Sequence, residues 1–392
     1  MGGDGERGGV GRAKSLYVHV PFCVSRCDYC DFASGVYDRD LAAGYLDALE
    51  RELSERAGDA AFETVYVGGG TPTALDNDHL ERLIALLRPR VGGPECEFTI
   101  EANPGTVDDA KALLLSARGV NRVSLGVQSF SDARLKMLGR AHTADEARAA
   151  FGALRGRDFE NISIDLMTAL PEVTSAEAGP AEADLAEAVR LAPEHVSVYI
   201  LSVEPGTKLA GRVDSGELTP APDERAAAEY HLARERLTAA GYAHYEISNF
   251  ARPGLESRHN TVYWTARPYL GVGASAASFS GWSEGRPGLR TANVRDAHEY
   301  ARRVMAGNGA VASVERLPHR RAAREALILG LRMLGGVDSA EFRRTTGVMP
   351  EEICGDGIRS AVERGLLEEE RYLLRLTSRG LVVSDSVMAE LV

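Results

Sequence analysis

Apolar and polar positions alternate in short runs that recur along the first 240 residues. SLYVHVPF (15–22), FETVYVGGG (62–70), ECEFTIEANP (95–104), NRVSLGVQSF (121–130), ENISIDLMTALP (160–171) and EHVSVYILSVEPG (194–206) each read as a β-strand running into turn residues. Between them lie stretches of helical period: 39–58, 76–90, 107–119, 132–138, 143–157, 181–193 and 222–241. Asp76 or Asp78 is a plausible cap for the second of these. Six strands alternating with helices predict parallel βα units, here a partial (β/α)6 barrel of the α/β class. The pattern changes after 310. AREALILGLRMLGGVD (323–338), AEFRRTTG and GIRSAVERGLLEEE read as helices, and RYLLRLTSRGLVVSDSVMAELV (371–392) as strand, turn and helix. That is a helical, winged-helix-like appendage. The division expected is a disordered tail at 1–14, a core barrel at 15–240, a connecting segment at 241–310 and the appendage at 311–392.

Composition narrows the class. The 392 residues carry a net charge of −12, with a pI near 5.4. Nucleic-acid binding runs on neutralising phosphates, so no nucleic-acid partner is expected. The EEE at 368–370 argues the same way for the appendage. No apolar run approaches the roughly 20 residues of a membrane helix. MGGDGERGGVGRAK has no apolar stretch of signal-peptide type. A cytoplasmic protein with reduced thiols is expected.

Five cysteines are present, and three of them, Cys23, Cys27 and Cys30, fall in CVSRCDYCDF. Three thiols cannot pair off as a disulfide framework. Structural zinc usually takes four ligands, and no second Cys/His pair follows. Three thiolates can hold a cubane iron–sulfur cluster and leave one iron without a protein ligand. Cys96 and Cys354 read as plain thiols.

In a βα barrel the chemistry collects at the C-terminal ends of the strands. Those ends here carry the three cysteines, Gly68–Gly69–Gly70–Thr71, Glu101, Gln128, Asp165 and Ser202. A Glu, a Gln and an Asp at three separate ends fit a site better than they fit turn chemistry.

These residues carry a resemblance. YVHVPFCVSRCDYC, VGGGTPT, EANP, GVQSF…LGRAH and IDLM…LP together resemble the radical S-adenosylmethionine (SAM) superfamily, and within it the coproporphyrinogen-dehydrogenase-like branch. The resemblance implies a [4Fe–4S] cluster on Cys23, Cys27 and Cys30, with the fourth iron open to the amino and carboxylate groups of SAM. It implies Tyr17 and Gly69 against SAM, Gly70 and Thr71 in the same pocket, and Glu101, Gln128, Arg140 and Asp165 at further SAM-contacting positions.

Two features divide the branch. The dehydrogenases carry C-x3-C-x2-C-x-C and a longer N-terminal segment. This chain has Phe32 in the place of the last cysteine, and 22 residues before Cys23. Both features resemble the heme-chaperone members instead. SRHNTVYW (257–264) holds His259–Asn260–x–x–Tyr263, the HNxxY motif that those members associate with heme. An imidazole is a natural axial ligand to heme iron. The resemblance therefore implies heme as a third cofactor, with His259 as ligand and Tyr263 stacking on or bonding to the porphyrin. A hydrogen-bonded core histidine is the rival reading. YLGVGASAASF (269–279) is small-residue rich and fits close packing on a macrocycle or on the barrel edge.

A heme chaperone delivering heme to apo-heme proteins such as respiratory enzymes is thus the leading expectation. Transient membrane association and a homodimer are among the partners it allows. Oxygen-independent oxidation of coproporphyrinogen III and radical SAM methyl transfer are the alternatives. One departure stands out. Members of the branch usually read D-L-x-x-G-L-P-G-Q-T, where this chain has DLMTALPEVT, with Ala169 for glycine and Glu172–Val173 for Gly-Gln. If the glycine needs φ > 0, alanine costs on the order of 1 kcal/mol.

Overall fold

The computed structural model describes residues 13–173 and 181–392. The disordered-tail expectation falls mainly on residues 1–12, outside the described residues. Ala13 is already buried, and the Lys14 carbonyl accepts from the Glu63 and Thr64 amides at 2.7 and 3.3 Å.

Six strands carry the barrel: β1 (Ser15–Val20), β2 (Thr64–Gly69), β3 (Glu97–Ala102), β4 (Arg122–Gln128), β5 (Ile162–Thr168) and β6 (His195–Ile200). They pair in parallel and in sequence order. A hairpin of β7 (Ala243–Glu246) and β8 (Asn249–Ala251) adds antiparallel to β6. β9 (Leu270–Val272) adds parallel to β1. The full order is β7-β8-β6-β5-β4-β3-β2-β1-β9, an open sheet. YLGVGASAASF therefore lies on the barrel edge. A Cβ on Gly271 would stand 1.9 Å from the Ala277 carbonyl oxygen, so only glycine fits that fold-back.

The strand alternation has a definite sense. Leu16, Val18, Val65, Val67, Phe98, Ile100, Val123, Leu125, Ile162, Ile164, Val196 and Val198 form one buried apolar core with the helices. The intervening positions are polar: Tyr17 and His19, Tyr66, Thr99 and Glu101, Ser124, Ser163 and Asp165, Ser197 and Tyr199. Most of them meet each other along and across the strands by hydrogen bonds and ring contacts, while Thr99 Oγ1 has no hydrogen-bond partner among the described residues. The face turned away from the helices is thus a polar network, not a greasy plug. Buried polar groups cost little only when paired. Two helices illustrate how the shell is built. The Asp76 carboxylate caps the helix Asn77–Leu87 by accepting from the His79 amide. Glu52, on the helix Arg39–Arg56, is 2% exposed and accepts from Arg56, Gly273 N, Asn293 and Tyr300, tying that helix to the segment after β9.

The C-terminal part has its own core, in which Leu327, Leu331, Phe342, Ile358 and Leu374 pack together. Its three-stranded antiparallel sheet has the order Val337–Asp338, Leu373–Leu376, Leu367–Glu370. Helices His319–Gly330, Ser339–Thr346 and Pro350–Glu363 pack on it, as a winged-helix-like unit does. Among the described residues, no helix is long and apolar enough to cross a membrane.

Candidate cofactor site

At the C-terminal ends of the strands lies a cavity of about 400 Å³. Cys23, Cys27, Cys30, Gly69, Gly70, Thr71, Glu101, Gln128, Arg140 and Asp165 all line it. These residues come from six separate stretches of chain, and the fold gathers them at one opening.

The cysteine loop is clamped from outside. Phe22–Cys23 pairs with Gly35–Val36. The Asp28 amide donates to Leu138 O at 3.1 Å, and the Asp28 carbonyl accepts from Leu209 N at 2.8 Å. The Asp28 carboxylate faces Arg212 at 3.4 Å and Lys208 at 3.8 Å. A Cβ on Gly139 would stand 2.6 Å from Asp28 Oδ1, and Gly139 has φ of +68°. So glycine is needed twice over there.

The three thiols are part-buried and free. Burial pushes the Cys23 and Cys30 thiols up. Thr71 Oγ1 is 3.7 Å from Cys23 Sγ, and Arg140 Nη1 donates toward Cys27 Sγ at 3.3 Å. Among the described residues no three ligand-type side chains are close enough to hold a single metal ion. Around one zinc, thiolate sulfurs sit about 3.8 Å apart, given Zn–S bonds near 2.3 Å. A cubane takes each thiolate on a different iron and needs a wider set. Three thiols on one cavity wall, with donors at two of the sulfurs, fit a cluster that takes each thiolate on a different iron.

Beside the thiols is a cradle of glycine backbone. Gly69 has φ of +107°, and a Cβ there would stand 2.3 Å from the His19 ring. Its amide donates to Glu101 Oε2 at 3.0 Å, while Tyr66 donates to Glu101 Oε1 at 2.8 Å. Burial raises the Glu101 carboxyl to about 7, against those two hydrogen bonds. Burial also raises Asp165, against hydrogen bonds from Ser197, Ser124 and Ser163. Gln128 sits just past a break in the β4–β5 register with φ of +67°. Tyr17 is set back from the cavity wall: its hydroxyl meets His19 Nδ1 at 3.1 Å and its ring stacks on Tyr66.

The HNxxY segment lies elsewhere. It forms the helix Arg258–Trp264, capped by Ser257 and by the Glu97 carboxylate, which accepts from the Arg258 and His259 amides. His259 is 1% exposed, and both its ring nitrogens are engaged, with Thr64 Oγ1 and the Tyr263 hydroxyl, each at 2.8 Å. Burial lowers it to about 3, so the ring is neutral. In this conformation His259 is the hydrogen-bonded core histidine, and its imidazole is not presented to a ligand. Tyr263 does reach a cavity, a second one of about 250 Å³ with Tyr269, Phe279, Trp282, Arg267 and Arg290 in its walls. His259 also stacks on Tyr66 at 5.1 Å, so a run of four side chains, Tyr263–His259–Tyr66–Glu101, spans from one cavity to the other.

Sequence reasoning missed Tyr66, His19, Ser124 and Arg122. The signal was present in the strand periodicity. Positions 64, 66, 99, 101, 122, 124, 163, 165, 195, 197 and 199 are all polar, which marks the inward face as part of the site.

An open parallel barrel with this thiol and glycine cradle defines a radical SAM protein. Residues 17–181 match the radical SAM superfamily, and residues 317–383 match the HemN C-terminal domain. The chain is 34% identical over 380 residues to the heme chaperone HemW of Bacillus subtilis, covering 95% of this chain and 98% of that one. It is 35% identical to heme chaperone HemW of Mycobacterium tuberculosis, covering 97% and 95%. The chain belongs to the HemW family. The solved structure of the coproporphyrinogen III oxidase HemN from Escherichia coli, a radical SAM enzyme, has the same fold, with a TM-score of 0.82 at 23% identity, covering 100% of this chain and 93% of that one.

Proposed function

We propose that this chain is a heme chaperone that carries a [4Fe–4S] cluster and SAM at the strand ends and holds heme elsewhere for delivery to apo-heme proteins such as respiratory enzymes. The observation that carries the reading is the second cavity. Its walls are aromatic, with Tyr263, Tyr269, Phe279 and Trp282, and Arg267 and Arg290 stand at it. Arg290 is paired with Glu325, while Arg267 makes no ion pair among the described residues, so a flat apolar ring with a carboxylate at its edge matches that chemistry. The cavity is smaller than a whole porphyrin, which accords with partial insertion and easy release.

Cys23, Cys27 and Cys30 would hold the cluster, and Gly69, Gly70, Thr71, Glu101, Gln128, Arg140 and Asp165 would hold SAM. Bound there, the pair supplies one-electron cleavage of a sulfonium. The chain's own part is to bind and orient. Gly69 and Gly70 let backbone approach the ligand, Glu101 and Asp165 offer acceptors, and Arg140 steadies Cys27. Within the HNxxY motif, Tyr263 meets heme first, and His259 stands behind it as the partner of its hydroxyl. Ligation by His259 itself requires the ring to give up that bond. Tyr17 acts through Tyr66. A cytoplasmic site of action, a transient membrane contact and a homodimer belong to the same proposal.

Coproporphyrinogen III oxidation is the second reading, favoured by the shared fold alone. Phe32, 65% exposed at the cavity rim, opposes it. The test gives anaerobically reconstituted protein heme in one vessel, and coproporphyrinogen III with SAM and reductant in another. Stoichiometric heme binding without product supports the chaperone. Product without heme binding overturns it.

A further inference from the structure

Arg122 opens β4 and is among the largest fully enclosed side chains, 2% exposed. It forms no ion pair among the described residues, and its buried Nε has no hydrogen-bond partner. An enclosed guanidinium nitrogen without a partner is costly, and the charge it belongs to acts on neighbouring groups at longer range. Register says what it faces. Arg122 is opposite Thr99 on β3, and Glu101 is opposite Ser124, two residues further along the strands. Ser124 is opposite Ser163 on β5, and Ser124 and Ser163 both donate to Asp165. Alternate residues share a face, so Arg122 lies one layer, about 7 Å, beneath the level of Glu101 and two layers beneath that of Asp165.

We propose that Arg122 is a positioning residue for SAM, holding Glu101 and Asp165 from beneath in the ionised form that a sulfonium and an ammonium require. The inference rests on the SAM reading above. Glu101 and Asp165 are both cavity-lining, and both are pushed toward the neutral form by burial, while the charge of Arg122 works against that push in each. The other groups around them cannot replace it. Tyr66 and the Gly69 amide only donate hydrogen bonds to Glu101. Ser124, Ser163 and Ser197 do the same for Asp165. Tyr17 and Tyr199 remain protonated, because burial raises both. His195 and His259 stay neutral, because burial lowers both. Arg140 is committed to Cys27 Sγ and Gly126 O. A cluster on the three thiols would bring negative charge to the cavity's other wall and raise both acids further. A fixed cation beneath offsets it.

The sign is definite. Glu101 is neutral below about 7 and ionised above, so SAM affinity rises with pH through that point. Removing Arg122 moves the rise to higher pH. The test measures SAM dissociation constants on reconstituted protein by equilibrium dialysis from about pH 6 to 9, for wild type, Arg122→Met, Arg122→Gln and Arg122→Lys. For a midpoint shift of about one unit, the neutral variants should bind about fivefold more weakly at pH 7, where wild-type Glu101 is half ionised, and recover to near wild type at pH 9. Arg122→Lys should follow wild type. A second readout needs no SAM: the carboxyl stretch of Glu101 by difference infrared, assigned with Glu101→Gln, should show the same upward shift. Equal weakening at every pH, or an unmoved infrared midpoint, overturns the proposal. If wild type binds no SAM, the SAM reading falls and Arg122 can no longer position it. An unmoved infrared midpoint then overturns the charge effect as well. If both neutral variants unfold, folding regained at low pH, where the acids are neutral, supports the charge role, and unfolding at every pH overturns it.

Discussion

Arg140 Nη1 lies 3.3 Å from Cys27 Sγ, across 113 residues of chain, while its Nη2 donates to the Gly126 carbonyl at 2.6 Å. The guanidinium thus joins the middle thiol of the loop to the strand end that carries Gly126 and Gln128. A hydrogen bond from a charged donor of that kind is among the stronger ones, and it holds the Cys27 side chain at the cavity wall.

The first prediction follows from that geometry. Anaerobic reconstitution should give about four irons per chain with the absorbance of a [4Fe–4S] cluster. Cys27→Ala should abolish it. Cys96→Ala and Cys354→Ala should not, because both thiols are buried away from the cavity, 3% and 7% exposed. Arg140→Met should still assemble a cluster but lose it several-fold faster to a chelator. Stoichiometric zinc with no cluster would refute the assignment.

Gly139 supports the same loop by having no side chain. Its φ of +68° and the 2.6 Å approach of Asp28 both exclude a Cβ. Gly139→Ala should therefore destabilise the fold by about 1–2 kcal/mol and lower iron content on reconstitution. Urea unfolding and iron analysis measure the two effects. Full iron with unchanged stability would show that Asp28 moves freely.

The DLMTALPEVT departure has a physical consequence. Ala169 has φ of +54°, in the left-handed region, and its amide donates to Glu229 at 2.7 Å. The backbone there keeps the conformation a glycine prefers, and alanine pays strain for it. Ala169→Gly should stabilise the protein by up to about 1 kcal/mol, after the added freedom of the unfolded glycine is subtracted. A lower urea midpoint in the glycine variant would mean that the methyl's burial outweighs the strain.

His244 makes a pH prediction. Its ring stacks on Phe250 at 4.0 Å, and burial lowers it to about 4. The folded state therefore resists a proton that the unfolded chain takes up near 6.5. Stability contributed by the neutral ring is full above 6.5 and is lost as pH falls toward 4. The slope is about 1.4 kcal/mol per pH unit for one proton. His244→Gln should remove about one proton from the pH dependence of unfolding in that window. An unchanged slope would sink the assignment.

Much of this architecture was legible from the chain. The six strands and their helices stand where the alternation put them, and Cys23, Cys27, Cys30, Glu101, Gln128 and Asp165 do share one cavity. Three things were not legible. β9 is only three residues, too short for a periodic signal, and its partner β1 lies some 250 residues away in sequence. The inward polar face was visible as periodicity, but burial of Arg122 and Tyr66 depends on strands meeting across the barrel. The motif around His259 reads identically whether the imidazole is offered to a ligand or enclosed. Only the Thr64 and Tyr263 hydroxyls decide that, and one of them comes from a distant strand.

Heme provides the last prediction. If heme enters the aromatic cavity, the residues at its wall should govern affinity more than the enclosed histidine does. Phe279→Ala should weaken heme binding several-fold, since it removes a ring face worth roughly 1 kcal/mol beyond its area. Tyr263→Phe should alter the Soret band, because it removes the hydroxyl that His259 holds at 2.8 Å. His259→Ala should change both the spectrum and the fold stability, because it leaves the Thr64 and Tyr263 hydroxyls without their partner in a buried place. All three variants should keep the iron–sulfur absorbance, since none of these residues lines the thiol cavity. Unfolding measured beside heme titration separates the two effects of His259. If His259→Ala abolishes heme binding while folding stays intact and Phe279→Ala has no effect, then the imidazole itself takes the iron, and the helix Arg258–Trp264 must open to let it do so.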